Sequence, residues 1–122
     1  MGHVNNAVYF TYMEEARSTY WTSLRGAVTY RALDFVVARA ECYFRSPAVF
    51  AERVRVAVTL ETIGTRSFVL TYEMTDEKSG REIGHGRTVQ VMVDPEGRPR
   101  AVEPELRERM EQWPSHPDPP AA

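Results

Sequence analysis

A glycine followed shortly by two asparagines, Gly2-His3-Val4-Asn5-Asn6, opens directly onto a run that begins Ala7-Val8-Tyr9-Phe10. The spacing suits a helix entry. A short amide side chain at Asn5 or Asn6 can accept a bond from a first-turn N–H and cap the helix, worth about 1 kcal/mol. Capping alone accounts for these residue types. The same geometry leaves further backbone N–H groups unpaired at the positive end of the helix dipole. Such a start can hold an anion or polarise a carbonyl, so those are the chemistries on offer.

Other reactive groups are sparse. Glu14 and Glu15 could supply a carboxylate, but neither falls on the apolar stripe of its segment, which suits a solvated or salt-bridged face. Asp34 begins a strand and reads first as a turn residue; the alternative is a reach toward a neighbouring subunit's site. His3, His85 and His116 are scattered with no metal-ligand spacing. Taken alone, His3 reads as a surface or packing residue. His85, between Gly84 and Gly86, reads as strand surface or a subunit contact. Cys42 is the single cysteine, which excludes an internal disulfide and a cysteine-based zinc site. It alternates with small apolar residues and reads as buried and inert. There is no Gly-x-Ser-x-Gly elbow, Walker loop or dinucleotide fingerprint.

The elements that position these residues follow from hydrophobic period. From 7 to about 24, Tyr9, Met13, Ala16, Tyr20 and Leu24 recur at three and four residues, one stripe of a helix that Phe10 and Trp21 widen. Gly26 is a plausible stop. After it the period becomes two. Between 33 and 44, Phe35, Val37 and Tyr43 alternate with Val36, Ala38, Ala40, Cys42 and Phe44, and the second set suits a face under a close helix. Val54, Val56, Val58 and Leu60 alternate with Arg55, Thr59 and Glu61; Phe68, Leu70, Tyr72 and Met74 alternate with Ser67, Val69, Thr71 and Glu73. Val89, Val91 and Val93 continue the pattern in a fourth strand. Pro104 opens a short helix whose stripe is Leu106, Met110 and Trp113. The proline-rich segment 114–122 reads as disordered. Four strands with short hairpins make an antiparallel meander with one apolar face, which the first helix must cover. The lengths agree, roughly 27 Å of helix against roughly 33–40 Å of strand.

The 122 residues make one domain, 43% apolar and 26% charged, with a formal charge of −2. Nucleic acid and acidic membranes are poor partners for that charge. No apolar run approaches a membrane span, and no signal pattern leads the chain. A lone cysteine suits a reducing cytoplasm.

The run GHVNNAVYFTYMEEAR resembles the helix-entry motif of the hotdog-fold acyl-CoA thioesterases, the 4-hydroxybenzoyl-CoA thioesterase-like group. That resemblance implies an α+β hotdog fold over residues 1–113, a long helix wrapped by an antiparallel sheet. It implies hydrolysis of an acyl-CoA thioester to free acid and CoA, with neither cofactor nor metal. By motif position, the backbone N–H at Asn6 points at the thioester oxygen, and His3, Asn5 and Tyr9 lie along the substrate. CoA would cross a subunit interface, where Arg66, Ser67 and Arg87 could meet its phosphates; each also reads simply as a solvated surface group. The mixed apolar and charged faces of residues 35–45 and 83–93 suit an interface, and the expectation is a homodimer or homotetramer. The group's activating Asp would stand three residues before Gly2, outside this sequence, as would its first strand. Two readings follow: a longer natural product that hydrolyses thioesters, or a non-catalytic or vestigial acyl-CoA binder; on either, the 122 residues as given are expected to be weakly active or inactive.

Overall fold

The computed structural model describes residues 6–25, 34–45, 53–112 and 115–117. Helix α1 spans Asn6–Arg25, one residue longer at each end than the apolar period predicts. Its stripe of Tyr9, Met13, Ala16, Tyr20 and Leu24 is buried, with Trp21 beside it. On the opposite face, Thr19, Thr22 and Ser23 return their hydroxyls to the carbonyls four residues back, which makes these weak helix formers tolerable there.

Strands β1 (Phe35–Phe44), β2 (Val54–Ile63), β3 (Ser67–Asp76) and β4 (Glu82–Met92) are all antiparallel, and α2 spans Pro104–Gln112. These four strands lie in the sheet in the order β1-β4-β3-β2. This corrects the expected meander. Only β2, β3 and β4 run consecutively; β1 lies across the sheet, paired with β4. The pairing sets large side chains opposite glycine, with Cys42 across from Gly86 and Phe44 across from Gly84. The proline-rich segment expected to lack structure contributes β5, Ser115–Pro117, which pairs with Ala57–Thr59 of β2. Gly26 and Trp113 lie outside the described residues.

Two strands depart from the predicted faces. In β1 the register shifts between Val37 and Arg39. A bulge reverses side-chain parity from that point on. Phe35 and Val37 therefore share the helix side with Ala40, Cys42 and Phe44, while Val36, Arg39, Glu41 and Tyr43 face away. In β4 the valines are not the core residues. Thr88, Gln90 and Met92 are buried under α1, and Val89 and Val91 lie on the outer face.

Helix and sheet advance in step. Tyr9 meets Phe44 with ring centroids 4.8 Å apart. A Cβ at Gly86 would overlap the Met13 sulfur. Arg17 Nη1 donates to Tyr72 Oη at 3.2 Å, and Tyr72 Oη bonds Thr88 Oγ1 at 2.6 Å. Trp21 stacks on Phe68 at 5.5 Å and meets Phe35 edge-on at 4.9 Å. Four helical residues rise about 6 Å and two strand residues about 6.6 Å, so each helical step of four lands on the next inward residue of β4.

Candidate active site

The helix start is the centre of the site. Asn6 is the first helical residue, and the first-turn N–H groups of a helix have no intrahelical partners. No acidic side chain stands in that first turn to compete for them. His3 and Asn5 lie outside the described residues. Tyr9, expected along the substrate, is 1% exposed and packed between Tyr12 and Phe44. In this chain it anchors the helix start to the sheet. Tyr12, one position round the helix, is half-buried, and its phenol is pushed up chiefly by burial, then by Tyr9 and Glu15. Glu14 and Glu15 are exposed, off the buried stripe.

The basic and hydroxyl residues stand elsewhere. Arg66 and Ser67 lie at the opposite end of the sheet. The Arg66 carbonyl accepts from Met92 N–H at 2.8 Å, and Ser67 pairs with Val91. That is the Trp21 end of α1. The helix between Asn6 and Trp21 is about 22 Å long. Arg87 sits on the outer face of β4, across the sheet from α1. It holds the Glu61 carboxylate with three contacts of 2.8–3.3 Å, which keeps that carboxyl below its ordinary range. One chain therefore gathers Asn6 and Tyr9 but does not bring Arg66, Ser67 or Arg87 to them.

Asp34 has a structural task. It accepts from Trp21 Nε1 at 3.1 Å and meets Arg100 at 3.4 Å, and Arg100 also bonds Glu103 at 2.7 Å. This ties the far half of α1 to the loop before α2. His85 is half-buried on the outer face, stacked on Tyr43 at 5.1 Å. Cys42 is half-buried rather than fully buried, its thiol pushed up by burial. Among the described residues no group of three His, Cys, Asp or Glu could hold a metal, and no helix is long and apolar enough to cross a membrane.

Sequence reasoning missed the polar track inside the seam. Arg17, Tyr72, Thr88 and Gln90 lie between helix and sheet; the Gln90 amide donates to the Phe68 carbonyl at 3.0 Å. Within this seam Tyr20 Oη and Gln90 Oε1 are buried with no hydrogen-bond partner. Burial pushes the Tyr20 phenol up to about 12. The signal available was Arg17, four residues after Met13, a charge beside the buried stripe.

The chain is similar to known proteins along most of its length. The sequence profile of the thioesterase superfamily matches residues 1–83. The long-chain acyl-CoA thioesterase FadM of Escherichia coli is 31% identical, over 90% of this chain and 86% of that protein. A Thermus thermophilus thioesterase, solved with coenzyme A and Zn, is 32% identical over 91% of this chain and 80% of its own, with a TM-score of 0.79. A predicted thioesterase from Bacillus stearothermophilus shares the fold at a TM-score of 0.84 and 22% identity, over 91% and 83% of the two chains. With the α+β hotdog arrangement of one long helix on an antiparallel sheet already in view, the match fixes the family: this chain belongs to the thioesterase superfamily.

Proposed function

We propose that the protein is an acyl-CoA thioesterase whose helix start at Asn6 stabilises the oxyanion of thioester hydrolysis. The observation that carries this is the position of α1, which begins at Asn6 within the matched segment and so aims the positive end of its dipole there. In the reaction, water adds to the thioester carbonyl carbon and the C=O electron pair moves onto oxygen. The N–H of Asn6, with Ala7 next, meets that charge as it develops. Collapse of the tetrahedral centre expels the CoA thiolate, which takes a proton, and leaves the free acid. A carboxylate activates the water; the family resemblance places it three residues before Gly2. The FadM likeness makes long-chain acyl-CoAs the first substrates to test. The lone cysteine favours the reducing cytoplasm as the place of action.

The proposed site is shared between two copies of the chain. β1 is an edge strand with no neighbour on its outer side among the described residues, and Val36, Val37, Tyr43 and Phe44 along it are exposed. A long apolar edge of this kind invites pairing. Antiparallel pairing of β1 with its own copy, centred near Arg39, sets Phe35 of the second copy beside Phe44. The end that carries Arg66 and Ser67 in the second copy then arrives at the helix-start end of the first, three strand spacings or about 14 Å away. An extended CoA can reach from one to the other.

The test is a thiol-release assay over aromatic, short-chain and long-chain acyl-CoAs, with the particle mass measured by light scattering. Release of CoA once the upstream Asp is included, little or none from the 122 residues alone, and a mass of at least a dimer are expected. Binding of acyl-CoA without release would favour the non-catalytic reading. A monomer mass at micromolar concentration would refute the shared site.

A further inference from the structure

The helix α1 covers the sheet unevenly. On β2 the helix-side residues Val54, Val56 and Val58 are buried. On β1 they are not. Val37 is 39% exposed and Phe44 43%, Ala40 is exposed, and Cys42 is half-buried. All four face the helix side, so an open strip with an apolar floor runs beside α1. Its inner wall carries a cation. Arg17 is half-buried, and its Nη1 donates to Tyr72 Oη at 3.2 Å. Tyr72 Oη bonds Thr88 Oγ1 at 2.6 Å, and Thr88 stands across from Ala40, which sets the guanidinium at the edge of the strip. Arg39, Arg87 and Arg100 each hold a carboxylate, whereas Arg17 has none among the described residues. The guanidinium is a rigid fork of five donors, shaped for a carboxylate. An apolar groove with one placed charge is the usual anatomy of a small-molecule site.

We infer that this strip receives the acyl chain and that Arg17 holds an anionic far end, so that the preferred ligands are CoA monothioesters of dicarboxylic acids. The inference rests on the thioesterase reading, which sets the thioester carbonyl at Asn6. From there Arg17 lies about 16 Å along α1. A long helical side chain leans back toward the N-terminus, which shortens the span. A medium-length acyl chain bridges it, passing Phe44, Cys42 and Ala40 in the order that the strand sets them. Its terminal carboxylate then meets the Arg17 fork in a charge-assisted pair, already oriented by Tyr72. A plain chain of the same length fits the floor but brings a methyl group against the cation. That strips water from the guanidinium and returns no partner, so the groove discriminates against it.

The experiment is equilibrium binding by calorimetry, which reads affinity whether or not the chain turns the thioester over. The probes are suberoyl-CoA and octanoyl-CoA, which differ only in the terminal carboxylate, with adipoyl against hexanoyl and sebacoyl against decanoyl to find the length. In at least one pair the dicarboxylic member should bind about 10-fold more tightly, and the ratio should fall as salt is added. Arg17→Gln should bring that ratio near one, and Arg17→Lys should keep part of it. If Arg17 serves only to hold Tyr72, Arg17→Gln weakens both ligands alike and leaves the ratio unchanged, which overturns the inference. Ala40→Glu, on the exposed floor, supplies a competing carboxylate and should also abolish the ratio; it decides if Arg17→Gln does not fold. Equal binding of every pair by the wild type overturns the inference and leaves the thioesterase reading standing. Binding of no acyl-CoA at all refutes both.

Discussion

Replacing Asn6 by proline removes one hydrogen-bond donor and little else. Proline has no N–H, and the first helical position is the one place in a helix where that costs no internal bond. α1 begins at Asn6, so the substitution falls at that position. The residue before proline is pushed toward extended backbone, which is the conformation a capping residue adopts. The helix should survive. If the Asn6 N–H is the oxyanion donor, its loss should lower kcat by about 10²–10³-fold, or about 3 kcal/mol of transition-state stabilisation. KM should change much less, because the charge develops only during attack. Asn6→Ala is the control, since it removes the side chain and keeps the N–H. The assay is steady-state thiol release with the best acyl-CoA, alongside thermal melts. A folded Asn6→Pro enzyme with kcat within twofold of wild type would refute the donor assignment. Equal losses in both variants would move the role from the backbone to the amide side chain.

Three further outcomes follow from packing and charge. Tyr20→Phe deletes a buried hydroxyl that has no partner. Removing an unsatisfied polar atom should leave stability unchanged or raise it by up to about 1 kcal/mol in urea unfolding, and a loss above that would show a hidden partner. Gly86→Ala puts a Cβ onto the Met13 sulfur and 3.0 Å from the Glu41 carbonyl. Overpacking of this kind should cost about 1–3 kcal/mol, with part regained in the double variant with Met13→Ala; an unchanged melting temperature would contradict it. The Glu61 carboxyl, held below its ordinary value chiefly by the Arg87 hydrogen bond, binds protons more readily when the chain is unfolded. Its contribution is therefore present above the ordinary carboxylate range and lost as pH falls through it. The urea-midpoint gap between wild type and Glu61→Gln should shrink from pH 7 to pH 3, and a pH-independent gap would argue against the pair.

Much of this fold was legible because its periods are clean. The stripe from Tyr9 to Leu24 places α1 to within a residue at each end, and alternation in β2 and β3 gives the correct inward faces. Strand order was not legible, since it depends on which strands meet: β1 crosses to β4, where Gly84 and Gly86 stand opposite Phe44 and Cys42 and let the Tyr43 and Glu41 carbonyls come close. Faces failed wherever a local rule was broken. The bulge between Val37 and Arg39 reverses the parity of β1, and no residue there announces it. In β4 the alternation is present with the opposite sense, because hydrophobicity marks what is covered but not by what. Of the site, the helix start could be read from Asn5-Asn6. Arg66, Ser67 and Arg87 could not be located, because their distance from that start is a property of the sheet rather than of any motif.

The two glycines of β4 link the fold to the chemistry. A helix start can polarise a carbonyl only if it is held still, and Asn6 is held through its first two turns. Those turns rest on Phe44 and Gly86 by way of Tyr9 and Met13. A larger residue at position 86 displaces the Met13 side chain, and any part of that displacement passed to the helix turns it about its Arg17–Tyr72 and Trp21–Phe68 contacts. A pivot there moves the Asn6 end most, since it is the free end of the lever. Small errors in donor position are costly in a pre-aimed site. Gly86→Ala should therefore lower kcat by a larger factor than its loss of stability alone would suggest, with KM less affected. Restoring space with Met13→Ala should recover part of kcat along with part of the melting temperature. Recovery of stability without recovery of rate would break the proposed link between helix seating and catalysis.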